Sequence, residues 1–185
     1  RGRAHARRSP PIVSEKRPVV CYPFYQVVPP ALPPSVNLQY TKDLSFEVPH
    51  GPQIFTALTA APQIAVNIDV QANRLQNDQP HFEVALTIKA EADEAPASEG
   101  GPAGRKVFIA ELTYAAVVTL NNPPAELVEP LLLVEVPRLI FPFARNILGD
   151  VTRDGGFPPV VLQPIDFVAL WQARRAEASQ TVGHA

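Results

Sequence analysis

Hydrophobic and polar positions alternate in four stretches of this chain, and toward the C-terminus the spacing changes to steps of three and four. Residues 41–48 place Leu44, Phe46 and Val48 on one face and Asp43, Ser45 and Glu47 on the other. Residues 64–70 set Ile64, Val66, Ile68 and Val70 against Ala65, Asn67 and Asp69, and residues 82–90 do the same with Phe82, Val84, Leu86 and Ile88. A period of two predicts half-buried antiparallel strands. Residues 107–120 are apolar on both faces, with Phe108, Ala110, Leu112 and Tyr114 on one side and Val107, Ile109, Glu111 and Thr113 on the other, which predicts a strand covered by a second layer.

Over residues 139–151 the apolar positions Leu139, Ile140, Phe143, Ala144, Ile147, Leu148 and Val151 spread over about half of a helix, with Arg145, Asn146 and Arg153 opposite. Gly155 and Gly156 end that helix. A second one starts at Asp166, a good N-cap, with Ile165 placed to staple onto Leu170. Between them Phe157-Pro158-Pro159-Val160-Val161 is apolar, extended and unable to be helical. Residues 125–134 predict a short helical lead-in interrupted by Pro130. A turn at residues 76–80 and a Gly-, Ala- and Pro-rich loop at 94–104 suit a meander or Greek key. Strands first and helices last predict an α+β fold, a four-stranded antiparallel sheet followed by two helices on one face.

Composition adds an asymmetry. The formal charge is -2, yet Arg1, Arg3, Arg7, Arg8, Lys16 and Arg17 face only Glu15 in the first 17 residues, a local +5 that leaves -7 for the remainder. An acidic folded part argues against nucleic acid or an anionic membrane as partner and for something basic. The expected organisation is a Pro-rich basic extension without fixed structure over residues 1–36, a folded domain over 37–178 and a flexible tail over 179–185. Cys21 is the only cysteine, so no internal disulfide framework exists. Prolines cut the apolar part of the head, and neither a signal peptide nor a membrane span is expected; the chain reads as cytoplasmic. His5, His50, His81 and His184 are scattered, and the glycines at 100–104 precede a strand and lack the Lys-Ser/Thr of a phosphate loop. No enzyme activity, metal or cofactor is expected.

Four ordered motifs carry a more specific message: Tyr40-Thr-Lys-Asp-Leu-Ser-Phe-Glu-Val-Pro, Phe108-Ile-Ala-Glu-Leu, Leu139-Ile-Phe-Pro-Phe-Ala-Arg, and Gly156-Phe-Pro-Pro followed by Pro164-Ile-Asp-Phe. Together they resemble the bacterial SecB family of protein-export chaperones, and residues 121–136 look like its α-proteobacterial branch. The resemblance implies an ATP-independent holdase that keeps newly made precursor proteins unfolded and passes them to the SecA motor of the Sec translocase. It implies a homotetramer, a dimer of dimers, with Ile140, Phe143, Ile147, Leu148 and Val151 at the subunit interface. By matching positions it assigns Asp43, Glu47, Ile109 and Glu111 to the docking of a basic, zinc-bearing tail of SecA, so that the zinc belongs to the partner.

A holdase needs forgiving apolar grooves, several per particle. The candidates are Ile64, Val66 and Ile68 on a strand, Phe157, Val160 and Val161 in the connector, and Phe167, Leu170 and Trp171 on the second helix. Two rival readings remain: an acyl thioesterase of the hot-dog type, whose long helix comes early and is wrapped by the sheet, and a SecB-like chaperone serving a toxin-antitoxin pair.

Overall fold

Why the central strands form where they do is plain from their burial. In β3 (His81–Asp93) every second residue is buried, from Phe82 through Val84, Leu86, Ile88 and Ala90 to Ala92. Its neighbour β4 (Lys106–Thr119) buries the same face with Phe108, Ala110, Leu112, Tyr114, Ala116 and Val118. These positions form the floor of the core. The protein is seen here as a computed structural model that describes residues 33–95 and 104–182. Most of the expected basic extension, Cys21, and loop residues 96–103 lie outside the described residues.

β1 (Ser35–Glu47) pairs with β4, and β2 (Gln63–Arg74) pairs with β3, giving the antiparallel order β1-β4-β3-β2. Strands 2, 3 and 4 form a meander and β1 lies beside β4, which is the Greek-key arrangement. β1 starts six residues earlier than alternation predicts. Register shifts between Val36 and Leu38 and between Thr41 and Asp43 break its period of two, hiding the strand's first half from pattern reading. A six-residue helix, α1 (Pro52–Ala57), carries the chain from β1 to β2 and plugs Ile54 fully into the core.

After the sheet, α2 (Ala125–Pro130), a π-helical turn (Leu131–Glu135) and α3 (Val136–Asp154) run on without a break. Pro130 therefore does not interrupt the lead-in. A proline has no N–H to give and crowds the carbonyl four residues back. The wider π turn between Pro130 and Pro137 absorbs this, and the Val136 amide reaches back five residues to Leu131. α3 lies across β3 and β4 and buries Val136, Ile140, Phe141, Ala144, Leu148 and Thr152.

The end of α3 is a Schellman closure. Gly156, at φ +89°, donates its N–H to the Arg153 carbonyl at 3.0 Å, and Phe157 donates to Thr152 at 3.1 Å. A Cβ on Gly155 would overlap the Phe46 ring, so close approach requires glycine at 155, whereas the left-handed backbone favours it at 156. The last helix, α4 (Phe167–Val182), begins as its sequence predicts, with the Asp166 carboxylate accepting the N–H groups of Val168 and Ala169 at 3.0 and 3.1 Å. The helical backbone continues through residues 179–182, where a flexible tail is expected. Among the described residues no helix is long and apolar enough to cross a membrane. The long helix follows all four strands and covers one face, unlike the early, wrapped helix of a hot-dog enzyme.

Candidate binding surfaces

Each strand sends alternate residues to opposite sides, which gives the sheet two different faces. On the face away from the helices, Asp43, Ser45 and Glu47 of β1 lie directly across from Thr113, Glu111 and Ile109 of β4. Glu111 thus sits between the two β1 carboxylates, and Ile109 lies opposite Glu47. The four residues expected to dock SecA share one patch. Asp43 and Glu47 are exposed, and Ile109 and Glu111 are half-buried.

The lysines around this patch are occupied elsewhere. Lys42 pairs with Glu83 of β3 at 2.7 Å, and Glu83 also accepts the Tyr40 hydroxyl. Hydrogen bonds from Lys42 first, and then Tyr40, hold the Glu83 carboxyl below its ordinary range. Lys89 lies opposite Glu111 but pairs with Glu91 at 2.8 Å, and Lys106 reaches the same carboxylate at 2.8 Å. Hydrogen bonds from Lys106 and then Lys89 pull Glu91 down to about 2. Among the described residues none of Asp43, Glu47 and Glu111 joins an ion pair.

The second surface lies along β2. Its inward row grades from open to closed: Ile64 and Val66 are 42% and 40% exposed, Ile68 is half-buried, and Val70 is in the core. Val66 and Ile68 line an open trough of about 720 Å³ with Ile165, Leu170, Lys89 and Glu91. Leu170 is also in the wall of an adjoining pocket of about 210 Å³, with Val70, Leu133, Trp171 and Arg174. Helix α4 is fixed along this strand by Arg174, whose guanidinium donates to the Val70 carbonyl at 2.9 Å and pairs with Asp69. The Trp171 indole donates to Glu129 at 2.9 Å, tying α4 to α2, while Arg175 stacks over its ring at 5.1 Å.

Val66, Ile68, Leu170 and Trp171 are therefore brought together, with Ile64 next along the row. Phe157, Val160 and Phe167 sit in the hydrophobic core at 6%, 7% and 1% exposure. Phe157 is the hub of a ring cluster, stacked on Phe55 at 4.9 Å and tilted against Phe108 and Phe46 at 5.0 and 6.3 Å. Val161, on the outer side of the connector, is 70% exposed.

On α3, Ile140 and Leu148 are completely buried beneath the helix. Phe143 is 51% exposed and stacks on Tyr114, while Ile147 and Val151 are half-buried. Leu139 is open to solvent one position before Ile140.

Pattern reading misses Thr152, Leu133, Glu129 and Arg174, and gives Ile165 only as a staple onto Leu170. Thr152 holds the connector against α3: fully buried, its hydroxyl shares its one proton between the helix carbonyls of Leu148 and Gly149 and accepts the Val160 N–H, each at 3.0 Å. The signal available in sequence is a lone threonine on the apolar side of the helix. Among the described residues no group of three or more His, Cys, Asp or Glu side chains could hold a metal ion.

Comparison with known proteins matches residues 31–178 to the family model described as preprotein translocase subunit SecB. The chain is 76% identical over 148 residues to protein-export protein SecB 1 of Gluconobacter oxydans, covering 80% of this chain and 86% of the relative. To protein-export protein SecB of Gluconacetobacter diazotrophicus it is 71% identical over 160 residues, 86% of this chain and 93% of that one. Both are α-proteobacterial proteins. Among solved structures, a SecB-like chaperone of Mycobacterium tuberculosis in complex with an antitoxin peptide superposes with a TM-score of 0.57 at 13% identity, over 72% of this chain and 91% of that one, a likeness of fold. With the four-stranded sheet, the C-terminal helices and a family match over most of its length, this chain belongs to the SecB family.

Proposed function

We propose that this protein is an ATP-independent export chaperone that holds unfolded precursor proteins in the cytoplasm and delivers them to SecA, working as a homotetramer. The observation that carries the reading is the open apolar row Ile64, Val66 and Ile68 continuing through Leu170 into the Trp171 pocket. An extended segment finds apolar contact there along several residues with no demand for one particular side chain. Loose side-chain demands and repeated sites per particle are what a holdase needs.

Assembly would use the side of α3 turned away from its own sheet. Leu139 and Phe143 are the exposed members, and Ile147 and Val151 flank them, whereas Ile140 and Leu148 would support the interface from within the subunit. Handover would use the opposite face of the sheet, where Asp43, Glu47 and Glu111 offer carboxylates beside the apolar Ile109 to a basic tail. The apolar row and the docking carboxylates lie on opposite faces of the sheet, and the two surfaces meet at Lys89 and Glu91, which border both.

The test for client binding is suppression of aggregation of an unfolded precursor, measured without ATP. Val66→Ser combined with Leu170→Ser is expected to weaken protection by about tenfold, with the far-UV circular dichroism unchanged, because both side chains are at least partly exposed. Full protection by the double variant would remove this surface from client binding.

A further inference from the structure

We infer that Glu83 and Glu91 are positioning residues for SecA docking, acting as internal counter-ions that keep Lys42 and Lys89 off the docking carboxylates. The inference rests on the proposed role of the acidic face and adds two residues that do not belong to that patch. Lys42 is the residue before Asp43 and stands in the register irregularity of β1. Lys89 stands directly across from Glu111. Lys89 and Glu111 are a facing cross-strand pair, and the irregularity lets Lys42, which reaches Glu83, share the outer face with Asp43, so either lysine could neutralise the neighbouring carboxylate.

Both are held back by a better-placed partner. Glu83 is mostly buried, its side chain only 14% exposed, and it is braced by the Tyr40 hydroxyl, so it is a fixed anchor for the Lys42 ammonium. Glu91 is braced in the same way by Lys106, which is itself tied to Asp93 at 2.9 Å. The consequence is a patch of three carboxylates, none in an ion pair among the described residues, although two lysines border it and Lys89 feels the Glu111 charge. Without Glu83 or Glu91, the freed ammonium would turn to Asp43 or Glu111 and compete with the incoming basic partner.

The experiment is a double-mutant cycle on the full-length protein, reading SecA affinity by calorimetry at low salt. Glu83→Gln keeps an oxygen for the Tyr40 hydroxyl and is expected to weaken binding about two- to fivefold, the range of an exposed ion pair. Lys42→Gln alone should change affinity little, because that lysine is already occupied, but should restore the loss when added to Glu83→Gln. The same non-additivity is expected for Glu91→Gln with Lys89→Gln. Thermal melts of each variant check that the sheet is intact.

If Lys42→Gln has the same effect with and without Glu83, the two residues contribute only overall charge and the counter-ion role is overturned. Unchanged affinity in Glu83→Gln and Glu91→Gln, alongside weakened binding in Glu111→Lys, also overturns it while leaving the docking face in place. Unchanged affinity in Glu111→Lys as well removes the docking face itself.

Discussion

Aspartate in place of Leu148 is expected to prevent the subunit from folding. Leu148 is completely enclosed between α3 and the sheet, and among the described residues no buried side-chain polar atom lacks a hydrogen-bond partner. The substitution removes about 2–3 kcal/mol of apolar burial and puts a carboxylate inside the hydrophobic core, a further cost of several kcal/mol. Domains of this kind have only about 5–15 kcal/mol in total. The variant should be insoluble or show no cooperative thermal transition. Leu139→Asp, on the exposed side of the same helix, should instead fold and melt like wild type, and under the proposed assembly it lowers the mass measured by light scattering. A Leu148→Asp protein that melts like wild type would contradict the placement of α3.

Phe157→Ala is expected to destabilise the protein by about 3–5 kcal/mol, the usual cost of emptying a buried aromatic site. The ring contacts Phe46, Phe55 and Phe108 at once, and these come from β1, α1 and β4. Its loss uncouples the connector from three elements. A fall in melting temperature of roughly 10 °C should follow. Weaker client protection in this variant would then reflect lost structure, which sets it apart from substitutions on the exposed row. A shift of only a degree or two would mean that the connector packs on the surface after all.

The contrast between these residues shows what pattern reading can reach. Alternation identifies β3 over residues 82–90, three short of its end at Asp93, because that central strand has a covered face and a half-buried one. It fails at the start of β1, where two irregularities shift the period, and it gives no hint of α1, too short to show one. On α3 the helical spacing shows a wide apolar arc, but not that Ile140 and Leu148 face the subunit's own sheet while Leu139 and Phe143 face outward. That division depends on the angle at which the helix crosses the strands. The connector has no period at all, so Phe157 and Val160 cannot be told from Val161 until α3 and Thr152 are in place. The acidic residues were legible as a polar strand face, whereas their meeting with Glu111 required the pairing of the first strand with the fourth.

The reading of this chain as an export chaperone, and not simply a holdase, depends on its acidic face. The most direct test is calorimetric titration of SecA into wild-type protein and into Glu111→Lys, with precursor protection measured on the same samples. The account predicts that charge reversal at the centre of the patch weakens SecA binding by about tenfold or more, leaves the melting temperature almost unchanged, and leaves precursor protection intact. Wild-type affinity for SecA in the reversed variant, or loss of precursor protection in its place, would contradict it.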